Sequence, residues 1–270
     1  MRNPFDSRIF IGVAVLALCF LAGACRPVRE SELPVSAPSL LERIRNEASR
    51  LQDFKGSAVV TAFVNGQKVQ IGARIQFRHP DQFRIDIQGP FFQVLGILSI
   101  QGQDVRLYSP SQNIVFQGTL QDREAILPGL RLPLAALRTA ALGLVDLNPY
   151  LSDHIVSYEY KPDRTTIVVA EATSGSKRKL WVDPRHSVVV REETSVDGLT
   201  TVASFEQYTK RKGFWRPALI RFTGARAEDA FELRYDSQSI NTGLRAIDLV
   251  APEPKSAMRI PLREAMDWLN

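Results

Sequence analysis

Val69 to Phe77 reads VQIGARIQF, and apolar residues alternate there with polar residues or glycine at every second position. A period of two places all the apolar side chains on one face of a β-strand. Phe83 to Gln88, FRIDIQ, repeats the pattern after a turn at His79-Pro80-Asp81. Strands with this alternation are typical of an antiparallel sheet that has one face in the core and the other in water.

Further strands are predicted along most of the chain, separated by turn signals such as Asp183-Pro184 and Asp197-Gly198. A period near 3.6 instead predicts a helix that starts at Ser39 and carries Leu41, Ile44 and Leu51 on one face. The other predicted strands cover residues 105–107, 114–116, 155–160, 164–171, 177–183, 187–195, 200–209, 216–224 and 230–240.

Residues 125–147 interrupt the strands and are rich in leucine and alanine. They predict one or two short helices, the better one from Leu134 to Leu144, and these are apolar nearly all round, so they should be buried. We therefore predict a mainly β (α+β) protein. It has a single large curved antiparallel sheet, with an N-terminal amphipathic helix and a helical lid on its concave face.

The N-terminus has the features of an export signal. Residues 1–24 combine Arg2 and Arg8 with an apolar stretch from Ile9 to Leu21, which is too short for the roughly 20 residues of a membrane span. The stretch Leu21-Ala22-Gly23-Ala24-Cys25 resembles the lipobox of bacterial lipoproteins, which predicts a lipid on Cys25. The alternative is ordinary cleavage near Ala22 or Ala24, which leaves a free thiol.

The remaining organisation follows from composition. Residues 25–38 contain three prolines and several charges, and they predict an extended tether after the lipidated cysteine. Residues 39–248 are expected to form the folded domain, and residues 249–270 a tail with a short helix from 262 to 269. The only other cysteine, Cys19, lies in the signal, so no internal disulfide is expected. The net charge is +5, and the basic residues are interspersed with acidic ones and form no basic stripe, which argues against nucleic-acid binding.

No catalytic or metal-binding pattern is present in the sequence. His79, His154 and His186 are far apart and sit in predicted turns, and none has a second metal ligand at helical or hairpin spacing. Neither a nucleophile elbow nor a phosphate-binding glycine loop occurs. We therefore expect a binding protein that is not an enzyme and has no catalytic residue, metal or cofactor.

The turn after the second strand is unusually apolar. Gly89-Pro90 is followed at once by Phe91 and Phe92, and then by Val94 and Leu95. One interpretation is an apolar tip that contacts a membrane or a partner, and the other is that the next strand has already begun with both rings partly in the core. Because alternation directs only one of two consecutive rings inward, we favour the exposed tip.

These segments together resemble the Lol family of lipoprotein carriers and receptors, and most closely its outer-membrane lipoprotein receptor LolB. Phe83 to Pro90 is similar to the strand that leads into that family's protruding loop. Leu132 to Leu137, with Leu142-Gly143-Leu144, is similar to its helical lid, and Gly213 to Pro217 to a turn and strand of its second half. The pattern extends over about residues 38–245.

The family's fold is an incomplete barrel whose helical lid closes an apolar cavity for acyl chains. The resemblance implies that Phe91 and Phe92 stand where the receptor has its exposed apolar tip. It also implies a cavity of roughly 300–1,000 Å³, the usual size of a ligand pocket. Its expected lining is Ile71, Ile75, Phe77, Ile85, Leu107, Leu130, Leu134 and Leu137.

The implied partners are acyl chains of lipoproteins or lipids, a soluble LolA-like carrier, and the membrane that the lipid anchor reaches. Arg26 follows Cys25, where an aspartate would argue for retention in the inner membrane, so we expect the anchor on the periplasmic face of the outer membrane. We also expect a monomer. Two alternatives remain open. One is a tethered carrier of another lipid or glycolipid, and the other is a structural or assembly lipoprotein with a packed core.

Overall fold

The computed structural model describes part of the chain, and the described residues lie in one compact unit, Val35–Asn270. Residues 1–35, which include the predicted signal and Cys25, lie outside the described residues. So do Leu130 and Leu134 of the predicted lid and His154. The described residues are 36–64, 67–120, 137–138, 141–145, 147, 155–161, 163–170, 177–196, 198–224, 230–252 and 254–265.

The described strands form a single 14-stranded sheet in the order β14-β6-β5-β4-β3-β2-β1-β13-β12-β11-β10-β9-β8-β7. Their bounds are β1 Asp53–Val64, β2 Gln67–Arg78, β3 Gln82–Gln88, β4 Val94–Gln101, β5 Asp104–Ser109, β6 Ile114–Thr119, β7 Ile155–Glu159, β8 Thr165–Ala170, β9 Lys177–Asp183, β10 Val188–Val196, β11 Leu199–Arg211, β12 Phe214–Thr223, β13 Phe231–Ile240 and β14 Met258–Pro261.

The sheet consists of two antiparallel meanders, β1–β6 and β7–β13, which are joined where β1 pairs with β13. The predicted mainly β class with one large open sheet is confirmed. One feature differs from the prediction, because β14 pairs with β6 in parallel and makes the sheet mixed. This short strand lies in the predicted C-terminal tail. Its four residues are too few to show a strand pattern in the sequence, and its partner strand is distant in the chain.

An α-helix, α1 (Ala37–Ser49), covers part of the sheet, and Leu137, Arg138 and Ala141 of the predicted lid are also helical. Ser36 rather than Ser39 caps α1, and the Ser36 hydroxyl accepts a hydrogen bond from the Ser39 backbone N–H at 3.4 Å. The helix begins early because proline is well tolerated in the first turn, where its missing N–H has no partner to lose. Its buried face is formed by Ala37, Leu40, Leu41 and Ile44.

The main core lies between α1 and one face of the sheet, which we call the inner face. Phe54, Phe83 and Phe116 are fully buried there, with inward side chains from both meanders. The described residues of the 137–147 segment join the same cluster, and its buried members are Leu137, Ala141, Leu142, Val145 and Leu147. Helix α1 and the 137–147 segment therefore form a second layer over the inner face.

The opposite, outer face is covered over β4–β6 by the residues that follow β13. Ile97, Tyr108, Val115 and Ala251 form a separate small cluster there. The Ser99 hydroxyl donates to the carbonyl of Leu249 at 3.0 Å. Because both faces of β4 are covered, five consecutive residues of this strand are buried and its sequence does not alternate.

A buried carboxylate fixes the start of β1 to the end of β13. Asp53 is only 4% exposed, and its carboxylate accepts hydrogen bonds from the backbone N–H groups of Thr242, Gly243 and Leu244 at 2.7, 2.7 and 3.3 Å. The hydroxyl of Thr242 donates a fourth at 2.9 Å. Burial raises the pKa of Asp53, but these hydrogen bonds outweigh it and leave the pKa below its ordinary value.

Candidate functional site

The β3–β4 turn exposes two aromatic rings. Phe91 is 100% and Phe92 83% exposed, on a short 3₁₀ turn that Pro90 begins. A hydrogen bond from the Gly89 N–H to the Gln93 carbonyl, 2.8 Å long, closes the turn. Both rings therefore lie entirely outside the core.

The side chains at this tip are apolar, and its backbone is strained. Phe91 and Phe92 both have positive φ, 56° and 61°. The left-handed region costs a residue with a side chain roughly 1–2 kcal/mol, and bulky residues rarely adopt it. Strain of this kind concentrates at functional sites, where the surrounding structure enforces it.

Two further predicted tip residues flank the rings. Leu95 is 43% exposed, and a Cβ at Gly89 would lie 3.0 Å from its side chain, so the two strands are in close contact here. Val94 is half-buried against the small outer cluster. The exposed apolar surface thus comprises the two rings and Leu95, whereas Val94 anchors the turn to the sheet.

Most of the predicted cavity lining lies on the inner face. Ile75 and Phe77 of β2 are buried in the main core, and Ile71, nearer the start of that strand, is only half-buried. The others that the structure describes, Ile85, Leu107 and Leu137, are also buried in the main core.

Three contacts hold the 137–147 segment against the inner face. The Tyr235 hydroxyl donates to the carbonyl of Ala141, and the Arg45 guanidinium donates to that of Leu147 at 3.4 Å. Gly143, with φ +53°, lies so close to β12 that a Cβ there would come within 2.4 Å of Pro217 Cγ. Only glycine fits this approach, so the segment lies directly on the sheet.

A cavity of about 200 Å³ lies between α1, the 137–147 segment and the end of β2. Its apolar lining includes Phe77, Leu142 and Val145, and three basic side chains, Arg45, His79 and Arg138, also border it. It is smaller than the roughly 300–1,000 Å³ of typical ligand pockets.

A second, smaller cavity of about 40 Å³ adjoins the first. Both are lined by Ala48, Leu144 and Val145, so they lie on two sides of the contact between α1 and the 137–147 segment. Tyr208 and Arg216 line the smaller one.

Arg216 is a charged residue at an inward position of β12. It is 4% exposed, its Nε is buried without a hydrogen-bond partner, and its guanidinium lies over the Phe54 ring at 5.4 Å. No carboxylate of the described residues forms an ion pair with it. Burial lowers the pKa of Arg216, and the nearby Tyr235 and Tyr208 oppose this.

The sequence prediction did not include Arg216, although the sequence carries a signal for it. In the predicted strand 216–224, Ile220 and Phe222 occupy every second position, and extending that register back places Arg216 on the apolar face. A charge at a core position of an alternating strand is the pattern that should have marked it.

In the described part of the chain, no group of three His, Cys, Asp or Glu side chains is arranged to hold a metal ion. His186 lies 2.5 Å from Asp183 and against the Trp215 ring, whereas His79 is exposed in its turn. Within the same residues, no helix has the length and apolarity that crossing a bilayer requires.

Solved structures share this architecture at low sequence identity. A DUF1329 family protein from Desulfovibrio piger has a TM-score of 0.63 at 15% identity, covering 78% of this chain and 94% of its own. A LolA superfamily protein from Nitrosomonas europaea has a TM-score of 0.52 at 13% identity, covering 78% and 97%. The chain has a LolA-type fold.

A third structure with the LolA-type fold is a proposed outer-membrane lipoprotein-sorting domain from Vibrio parahaemolyticus. Its TM-score is 0.59 at 14% identity, over 77% of this chain and 95% of that one. No family model and no curated protein matches the chain. The similarity therefore establishes the wider LolA-type fold, and the closer resemblance to LolB stays a prediction.

Proposed function

We propose that this protein is a lipid-anchored carrier, not an enzyme, which holds acyl chains between the inner face of its sheet and the 137–147 segment. The observation that carries the proposal is the 200 Å³ cavity under a covering layer whose described residues are mostly apolar. The LolA-type fold supports it, since one protein with this fold is a proposed lipoprotein-sorting domain.

Acyl chains need more room than this cavity has, so loading must move the covering layer. Only two hydrogen bonds from side chains of the sheet and of α1 reach the described residues of the 137–147 segment, those from Tyr235 and Arg45. On loading, the apolar side chains of this segment would lose their contacts with the sheet, and the acyl chain of the cargo would take their place. Burying the acyl chain contributes about 0.8 kcal/mol per CH₂ group, and exposing the side chains costs a similar amount per group. Loading can therefore be nearly balanced in free energy.

The proposed anchor is a lipid on Cys25, with residues 25–38 as the tether and the outer membrane as the site. We expect Cys25→Ser to abolish membrane attachment, because it removes the only thiol of the chain beyond the signal. Growth with labelled palmitate, followed by fractionation of membranes, measures this. Equal labelling of the two proteins would contradict lipidation at Cys25.

The proposed delivery step is made by the tip. Phe91 and Phe92 would dip into the bilayer interface while cargo, received from a soluble LolA-like carrier, leaves the interior of a monomer. Their exposure, 100% for Phe91 and 83% for Phe92, leaves both rings available for this contact. A second candidate, a carrier of another lipid, is favoured by the buried charge of Arg216, which has no obvious use in binding a neutral acyl chain.

The carrier function is tested by crosslinking inside cells. A photoreactive phenylalanine analogue at Phe77, which borders the cavity, should capture molecules labelled through alkyne-tagged fatty acids. The same analogue at Arg74, exposed on the outer face of β2, is the control. Labelling at Phe77 but not at Arg74 is the expected result, and equal labelling at both positions would contradict an internal acyl site.

A further inference from the structure

We propose that Arg216 binds the oxyanion head group of an amphiphile, a carboxylate or a phosphate, whose acyl chain extends from the 40 Å³ cavity into the 200 Å³ cavity. This rests on the proposed carrier function and names a class of cargo for it.

The Arg216 side chain is charged and buried without a partner of opposite charge among the described residues. An arginine keeps its charge in proteins, and removing a charge from water is costly unless an opposite charge or hydrogen bonds replace the water. Arg216 is 4% exposed, has an unpartnered Nε and makes a cation–π contact with Phe54. Such a group is ready for an anionic partner that the described residues do not supply.

Arg216 and a neighbouring tyrosine are hydrogen-bond donors that suit an oxyanion. The planar fork of the guanidinium matches a carboxylate or phosphate with two parallel hydrogen bonds. Tyr208 lines the same cavity as Arg216, and its hydroxyl donates to the carbonyl of Val189 at 2.6 Å and could donate to an oxyanion instead. Tyr235 does not line this cavity, and its hydroxyl donates to the carbonyl of Ala141. One arginine and one tyrosine therefore form the donor set for such a head group.

The two adjoining cavities provide space for the head group and the acyl chain of the cargo. The 40 Å³ cavity that Arg216 lines exceeds the roughly 10–15 Å³ that a single water needs, so a small polar group can enter it. Ala48, Leu144 and Val145 border both cavities, so a chain attached to that head group would pass between α1 and the 137–147 segment. The charge thus lies at one end of an apolar path.

Among the described residues, one carboxylate lines the same cavity. Glu47 of α1 lies there, but it is paired with Arg50 at 2.7 Å and its side chain is 33% exposed. A negative charge at this place competes with an incoming oxyanion. We therefore expect Glu47→Gln to strengthen the binding of an anionic amphiphile.

The test uses the full chain in amphipol and the neutral fluorescent probe N-phenyl-1-naphthylamine, which reports on the apolar interior. Oleate, oleoyl lysophosphatidate and oleyl alcohol are then compared as competitors that share one chain. We expect one or both anions to displace the probe at least about tenfold better than the alcohol, as one charge-assisted hydrogen bond allows. Whichever of the two anions competes better identifies the head group.

Variants separate binding from structure. Arg216→Met should remove the preference for the anion, leave probe binding intact and keep or raise the melting temperature, because it removes a buried charge without a partner. Arg216→Lys should retain part of the preference. Arg74→Met, on the outer face of β2, is the control and should behave as the wild type.

The outcomes distinguish the two proposals. No binding of the neutral probe would overturn the carrier function and with it this inference. Probe binding with equal competition by oleate and oleyl alcohol would overturn the inference alone. A large loss of melting temperature in Arg216→Met, with all three competitors weakened alike, would show that Arg216 is a structural residue and would also overturn it.

Discussion

Two charged residues are buried near the same end of the sheet, and their surroundings are opposite. Asp53 accepts four hydrogen bonds from residues 242–244, which tie β1 to the chain that follows β13. Arg216 is equally buried, yet its Nε has no partner and it borders a cavity. A buried charge whose hydrogen bonds are complete supports the fold, whereas an incomplete one points to a ligand.

The largest expected effect is at the satisfied charge. Asp53→Asn replaces an acceptor oxygen with an NH₂ group that faces backbone N–H donors, so we expect a loss of about 2–3 kcal/mol in the free energy of unfolding. Chemical denaturation of the full chain measures it. Asp236→Asn, an exposed aspartate on the neighbouring β13, is the matched control and should change stability by less than about 0.5 kcal/mol. Equal effects of the two substitutions would remove the distinction.

The same residue predicts a dependence on pH. The pKa of Asp53 is lowered below its ordinary 3.8 in the folded chain, so its contribution is fully present above that value. It is lost as the pH falls through the lowered pKa, because the unfolded chain takes up the proton first. The stability of wild type should therefore fall more steeply than that of Asp53→Asn below about pH 4. Parallel curves for the two proteins would contradict this.

A smaller effect is expected beside the unsatisfied charge. Gly143→Ala adds a Cβ that would meet Pro217, and it does so at a positive φ, so we expect a loss of about 1–2 kcal/mol. The 137–147 segment should move outward, and hydrogen exchange at the amides of Leu142 and Leu144 should become faster. Gly198→Ala has the same sign of φ in open space, and it separates the backbone cost from the clash. Unchanged exchange would show that the segment does not rest on β12.

The smallest effect on stability is expected at the tip. Phe91→Glu with Phe92→Glu should change the free energy of unfolding by less than about 0.5 kcal/mol, because both rings are exposed. Phe83→Glu, in the strand that leads to this tip, buries a charge and should unfold the chain. In vesicles containing the anchored protein, the double variant should deliver cargo more slowly. A large fall in its melting temperature would place the rings in the core.

The sequence predicted most strands because their alternation records which face is buried. For the same reason it placed Ile75, Phe77, Ile85 and Leu107 on the buried face, but of these four only Phe77 borders the 200 Å³ cavity. It set no bounds for β1, and it missed β4, whose two covered faces remove the alternation, and β14, which is too short to have a local pattern. The burial of β4 and the pairing of β14 both depend on the C-terminal residues returning to the sheet, a contact between distant parts of the chain.

The candidate site was predictable only in part. Gly-Pro followed by two phenylalanines marked the exposed tip, because turn chemistry and apolar side chains conflict at a surface. The alternation of the predicted strand 216–224 places Arg216 on the apolar face, but only the structure shows that its Nε is buried without a hydrogen-bond partner. Completeness of hydrogen bonding is a property of the folded chain, and a single sequence does not contain it.

Native mass spectrometry tests the carrier function most directly. The full chain is extracted gently from the membranes in which it is made, and the mass of each bound molecule is read after the protein is released from amphipol. We expect a non-covalent adduct that carries an acyl chain, both in wild type and in Arg74→Met. If the protein carried no adduct under any extraction condition and did not bind the neutral fluorescent probe, the carrier function would be contradicted. The protein would then be a structural protein with a packed core.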